Sequence, residues 1–147
     1  MVQVGFYIAI LAALGLTQHN PEAVSQRLDA YREAVDMAFI STSKHAAARK
    51  KLMTDFLLSN EERKTINNRI ETQSKADALH HTDVLTKAYL AAQIAIENGM
   101  AKKKLEETHT MVMDKLLLAT ASTDASIGYP VRSAVHQALR EIRDLNQ

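Results

Sequence analysis

The chain has no cysteine and no tryptophan among its 147 residues, and only 4 glycines and 2 prolines. The absence of cysteine excludes disulfides, thiolate metal sites and a cysteine nucleophile. Aromatic bulk comes from 4 tyrosines and 3 phenylalanines, which is little for a dense globular core. Because helix-breaking residues are scarce while Ala, Leu, Lys, Glu and Gln are plentiful, the composition predicts an all-α protein.

Positive and negative charges are nearly balanced, since 18 basic and 17 acidic residues leave a net charge of +1. Such a chain has no overall electrostatic attraction to nucleic acid. The sequence also contains no phosphate loop, dinucleotide fingerprint, nucleophile elbow or His-Glu-x-x-His motif. We therefore predict a protein that is not an enzyme, that binds no cofactor or metal, and that contacts other proteins rather than nucleic acid.

The N-terminal part, residues 1–20, carries no charged residue, and the block from Val4 to Leu16 is apolar apart from its glycines. Residues 1–17 just reach the lower limit of a bilayer-spanning helix, about 17 residues. The N-terminal part lacks the basic region and the small-residue cleavage site of a secretory signal. Three interpretations stay open: a buried first helix, a membrane span or anchor, and a strand. The predicted membrane-anchoring residues are Phe6, Tyr7, Ile8, Ile10, Leu11, Leu14 and Leu16.

A very long helical run follows, because Pro21 to Asn98 contains no glycine and has proline only at its first position. Asn20 and Pro21 suit a helix start, and Asn98-Gly99 is typical of a left-handed turn that ends one. As one helix the run would be roughly 117 Å long, against about 40 Å for a compact domain of this length. We predict long extended helices over residues 21–121, in a rod or stalk.

The run has two places where it can break, near residues 59 and 99. Ser59-Asn60-Glu61-Glu62 has the pattern of a capping box, at which a helix restarts. A break there would let the run fold back on itself, which is the alternative to a rod. The stretch from Glu61 to His81 is almost wholly polar, and such a stretch is more typical of a stalk than of a compact bundle.

The C-terminal part combines a linker over residues 122–130, containing Gly128 and Pro130, with a helix over residues 131–147. Apolar residues of this helix recur in steps of four and three on one face. A helix this short is marginal alone, so the face must dock on something. Together with apolar positions of the long run, the predicted partner interface is Leu28, Tyr31, Val35, Val131, Val135, Ala138, Ile142 and Leu145.

Two carboxylate-x-x-His pairs are candidate metal ligands with a recognisable spacing, Asp77 with His80 and Glu106 with His109. Such a pair on each of two helices is half of the di-metal site of ferritin-like bundles. The other half needs two more inward-facing carboxylates, and nothing in the sequence singles them out. We interpret both pairs as exposed helix residues that are three positions apart.

The layout of apolar N-terminus, long helix, linker and short terminal helix resembles the b-type subunit of the mitochondrial ATP synthase peripheral stalk. The likeness is carried by Ser25–Ala30 (Ser-Gln-Arg-Leu-Asp-Ala), by Val84–Tyr89 (Val-Leu-Thr-Lys-Ala-Tyr) and by the terminal helix from Val135 to Leu145. The resemblance implies a stator subunit on the matrix side of the mitochondrial inner membrane that contacts other subunits and catalyses nothing.

Three functions therefore compete. The first is a non-catalytic structural subunit of a membrane-associated complex, in particular a peripheral-stalk component. The second is a self-contained cytoplasmic helical bundle that acts as an adaptor or assembly protein, and it requires the long run to fold back near Ser59. The third is a di-metal carboxylate enzyme.

Overall fold

The computed structural model describes residues 20–147, which form four α-helices. Helix α1 spans Pro21–Thr54, α2 spans Asn60–Ala95, α3 spans Gly99–Ala121 and α4 spans Gly128–Asn146. These residues contain no strand, which confirms the all-α class. The apolar N-terminal block and its predicted anchoring residues lie outside the described residues. None of the four helices is long and apolar enough to cross a membrane.

The four helices form an up-down-up-down bundle in which α1 contacts each of the other three. His45 of α1 meets Asp77 of α2, and Lys104 of α3 meets Glu141 of α4, so successive helices run antiparallel. Helices α2 and α4 lie on opposite sides of the described bundle and do not contact each other. Helix α1 is therefore the element around which the core is built.

The prediction of one extended rod is wrong for residues 21–98, because the run folds back between Thr54 and Asn60. The last carbonyl groups of any helix lack partners within it. Here the Arg63 guanidinium donates to the carbonyl oxygen of Asp55 at 2.6 Å and also to that of Leu52. A side chain from the second helix thus holds the end of the first, and the two helices form a hairpin.

The fold-back alternative had a local signal in the sequence, the capping box at Ser59. Ser59 Oγ accepts the N–H of Glu62 at 3.1 Å, and Glu62 Oε1 accepts the N–H of Ser59 at 3.2 Å. These reciprocal bonds give α2 a start of its own, independent of α1.

The polar stretch at the start of α2 is explained by the length of α3. Arg49 donates to the carbonyl oxygen of Ser122 at 3.0 Å, which marks the level on α1 where α3 ends. Beyond that level α2 continues from Ser74 back to Asn60, a distance of roughly 21 Å along the helix. Apart from the end of α3, which lies near Asn67 and Glu71, this part of α2 packs against α1 alone, so most of its surface is exposed and polar.

The core runs along the part of the bundle where all four helices are present. Buried side chains of α1 meet apolar positions of the other three helices. The large side chains that are completely buried are Val24, Leu28, Tyr31, Val35, Phe39, Leu85, Ile96, Leu105, Val112, Val135, Leu139 and Ile142. Tyr31 and Phe39 are the completely buried aromatic side chains among the described residues.

Helix α4 begins at Gly128 rather than at residue 131, and its buried stripe differs slightly from the predicted one. Leu139 is buried and Ala138 is only half-buried, while Leu145 remains 37% exposed. Because a helix has 3.6 residues per turn, its buried face shifts gradually relative to strict steps of four and three. The larger Leu139 therefore takes the inward position that was predicted for Ala138.

The Asn98-Gly99 pair does not form the left-handed turn expected from its sequence. The Asn98 side chain accepts the N–H of Met100 at 2.9 Å and that of Ala101 at 3.2 Å, so Asn98 caps the start of α3. Gly99 is the first residue of α3 and has an ordinary backbone conformation.

We predict that Gly128→Ala destabilises the bundle by about 1–3 kcal/mol, the range typical of an overpacked contact. A Cβ at this position would lie 2.9 Å from Cβ of Phe39 and 3.3 Å from its carbonyl oxygen, where α4 begins to pack on α1. The matched control is Gly99→Ala, because nothing lies within 4 Å of its added Cβ. Urea unfolding measures both free energies of unfolding, and equal values for the two variants would contradict the account.

Candidate functional site

The predicted partner interface is largely used inside the chain. Six of its eight residues are buried in the core, namely Leu28, Tyr31, Val35, Val131, Val135 and Ile142, while Ala138 is half-buried. The face of α4 that was expected to dock on another protein packs on α1 and α3 of the same chain. Helical periodicity identified a docking face but could not tell an intramolecular partner from an external one.

Two side-chain pairs between α1 and α4, one hydrogen-bonded pair and one ion pair, hold this intramolecular contact at its edges. His136 Nε2 lies 2.8 Å from a carboxylate oxygen of Asp36, and the Arg143 guanidinium contacts the Asp29 carboxylate. Both pairs lie at the rim of the apolar contact, where exposed ion pairs typically contribute less than about 1 kcal/mol each. Their main effect is to fix the register of α4 along α1.

The two carboxylate-x-x-His pairs do not converge on one site. Asp77 binds His45 Nε2 at 2.7 Å through Oδ2, and this bond holds the pKa of Asp77 below its ordinary value. Glu106 is exposed, whereas His109 points into the interior. Among residues 20–147 no group of three or more His, Asp and Glu side chains is arranged to hold a metal ion.

His109 belongs instead to a cluster with two tyrosines, where α1, α2 and α3 meet. Its Nδ1 lies 2.8 Å from the hydroxyl oxygen of Tyr31, and its ring stacks on Tyr89 with 4.1 Å between the ring centroids. Burial lowers the pKa of His109 and raises that of Tyr31, so both side chains are neutral at neutral pH. The cluster satisfies the polar atoms of a packed core and has the character of a structural contact.

The clefts between the helices are small and shallow. One of about 400 Å³ lies between the projecting part of α2 and the end of α3, where Arg49 donates to Ser74 Oγ at 2.6 Å. Another, of about 280 Å³, is lined by Glu33, His80 and His81 together with apolar side chains that include Met37. Neither brings a nucleophile, an acid and a base to one point, so neither has the geometry of an active site.

The most exposed apolar surface of the described residues is the tip of the α1–α2 hairpin. Phe56 and Leu57 are 89% and 96% exposed, and Met53 in the last turn of α1 is also exposed. Phe56 lies four positions after Leu52, so it also fits the apolar stripe of a helix that continues through this point. The usable signal in the sequence is the run of three bulky apolar residues, Phe56-Leu57-Leu58, directly before the capping box at Ser59.

Comparisons of the chain with family models, with curated proteins and with solved structures find no match. The function must therefore be argued from the geometry of the residues themselves.

We predict that acid destabilises the bundle through His109. Because the folded-state pKa lies below the ordinary 6.5, the unfolded chain binds the proton more readily. The contribution of neutral His109 to the free energy of unfolding is therefore fully present above about pH 6.5. This contribution is lost as the pH falls below that value. His81, whose pKa is also lowered by burial, adds to the same trend. Urea unfolding at several pH values should give a shallower acid loss for His109→Phe than for the wild type.

The control variant is Tyr31→Phe, which removes the same hydrogen bond but leaves the histidine in place. It should cost about 1 kcal/mol at neutral pH and keep the steep acid dependence of the wild type. If His109→Phe lost stability in acid as steeply as Tyr31→Phe, His109 would not be the group that titrates.

Proposed function

We propose that the protein is a non-catalytic structural component of a larger assembly, which docks through the projecting tip of its α1–α2 hairpin. The observation that carries this proposal is the exposure of two adjacent bulky apolar side chains, Phe56 and Leu57, at the outermost turn. Exposed apolar groups at the end of a rigid projection are costly in water unless they have a partner, and they are common anchors of protein contacts.

The turn is rigid enough to act as a docking element. Asp55 accepts the N–H of Leu57 at 3.1 Å, Arg63 binds the carbonyl oxygen of Asp55, and the capping box at Ser59 closes the far side. Several backbone polar groups of the turn, the carbonyl of Asp55 and the N–H groups of Leu57 and Ser59, are therefore bonded locally, while Phe56 is exposed. Little conformational entropy remains to be lost when such an element binds.

The adaptor function is supported better than the stator function. A peripheral stalk must span a long distance, and the resemblance assumed a helix of roughly 117 Å. The longest helix of the folded-back run, α2 with 36 residues, covers roughly 54 Å. Membrane association remains part of the proposal, through the uncharged residues 1–17, which precede the opposite end of the bundle.

We predict that replacing the tip side chains, as in Phe56→Ser/Leu57→Ser, removes the protein from its assembly without unfolding it. The side chains are exposed, so the free energy of unfolding should change by less than about 0.5 kcal/mol. A photo-crosslinking amino acid at position 57 in cells should give a discrete adduct, whereas one at the exposed Leu118 of α3 should not.

Native electrophoresis of cell extracts supplies the second readout. The wild-type protein should migrate in a larger species, and the tip variant should migrate as the free chain. If the tip variant kept the larger species, or if position 57 gave no adduct, docking through the hairpin would be contradicted.

A further inference from the structure

Methionine is the most readily oxidised side chain of this protein, because the sequence contains neither cysteine nor tryptophan. Three of its 6 methionines are well exposed, since Met37, Met53 and Met100 are 53%, 64% and 69% exposed. Met111 and Met113 are half-buried and pack against the core. Oxidants in solution therefore reach the first three sulfur atoms more easily than the last two.

Met53 differs from the other two exposed methionines in where it lies. It belongs to the last turn of α1, directly before the turn that carries Phe56 and Leu57, and it extends their exposed apolar surface. Met100 lies at the opposite end of the bundle, in the first turn of α3, and Met37 lies in the middle of α1. Among these three methionines, only Met53 is part of the hairpin tip.

The surroundings of Met53 leave room for an added oxygen atom. The side chain lines an open cleft of about 310 Å³, where the end of α1 faces the start of α2. Lys64 and Asn67 line the same cleft, and both side chains carry N–H donors. A sulfoxide oxygen is an acceptor, so the oxidised side chain has donors nearby and displaces no core residue. Oxidation of Met53 should therefore leave the fold intact.

Resting on the docking role proposed above, we infer that Met53 is an oxidation site and that its sulfoxide prevents docking through the hairpin tip. Hydrogen peroxide transfers one oxygen atom to the Met53 sulfur. The O–O bond breaks, an S–O bond forms and water leaves, so the sulfur loses two electrons to the peroxide.

The sulfoxide opposes docking because it replaces an apolar group with a polar one. Burying a polar group against a partner that offers it no hydrogen bond is unfavourable, whereas burying the thioether is favourable. Enzymes that reduce methionine sulfoxide at the expense of thiols restore the thioether, so the loss of docking is reversible.

The first test oxidises the purified full chain with a small excess of hydrogen peroxide and locates the sulfoxides by peptide mass spectrometry. Met53 should be oxidised as early as Met100, and both should precede Met111 and Met113. The oxidised chain should keep its helical circular dichroism. A Met53 that stays reduced while Met100 is oxidised, or a chain that unfolds when Met53 is oxidised, overturns the inference.

The second test follows the larger species on native electrophoresis after cell extracts are treated with peroxide. The wild type should lose this species by about tenfold, the effect of one side chain that is no longer buried as an apolar group. Met53→Leu keeps an apolar side chain that peroxide does not oxidise, so it should keep the larger species. The matched control Met100→Leu should lose it as the wild type does. Equal losses for Met53→Leu and the wild type contradict a role of Met53.

The third test needs no oxidant. Glutamine has nearly the length of methionine and carries a polar end, so Met53→Gln imitates the sulfoxide. This variant should lower the larger species by about tenfold in untreated extracts, and Met100→Gln should leave it unchanged. A Met53→Gln variant that assembles as the wild type does contradicts the inference.

The outcomes separate this inference from the proposed function. If Phe56→Ser/Leu57→Ser keeps the larger species, the docking role fails and the inference fails with it. If that variant loses the larger species while wild-type protein with oxidised Met53 keeps it, the docking role stands and only the inference fails. Loss of the larger species in both supports the inference.

Discussion

The bundle depends on how one short turn, between Thr54 and Asn60, ends one long helix and starts the next. An uninterrupted helix would leave the apolar face of α1 without a partner in the same chain. The Arg63 guanidinium satisfies the carbonyl groups at the end of α1, and the capping box at Ser59 satisfies the N–H groups at the start of α2. Because both ends are bonded locally, ending the helix leaves few backbone groups unpaired.

Folding back at this turn determines what the rest of the chain can do. It brings α2 alongside α1, and the α1 surface that remains is covered by α3 and α4. Since α3 has 23 residues and α2 has 36, the hairpin extends past the four-helix part and presents its turn to solvent. The polar start of α2 and the exposed apolar pair at Phe56 and Leu57 both follow from this difference in length. A projecting, internally bonded turn is suited to docking.

The sequence predicts the helices better than it predicts how they pack. Asn20 and Pro21 start α1 as expected, and the apolar face of α4 identifies most of the residues that become buried. Helical periodicity alone could not exclude an extended rod. The apolar face of a helix has the same spacing whether the helix that covers it belongs to the same chain or to another protein. The hydrogen bond between Tyr31 and His109 joins residues 78 positions apart, so no local sequence pattern predicts it. The exposed tip could not be predicted from periodicity, because Phe56 fits a continuing helical stripe as well as it fits a turn.

The most direct test of the account is a distance between the two long helices in solution. The chain has no cysteine, so spin labels attach only at introduced sites such as Ala47→Cys and Ala76→Cys on the exposed surfaces of α1 and α2. Electron–electron double resonance on labelled protein diluted with unlabelled protein measures the separation within one chain. The hairpin predicts a short distance, about 10–25 Å for labels on neighbouring helices. A distance of roughly 44 Å, the length of continuous helix between the two positions, would contradict it.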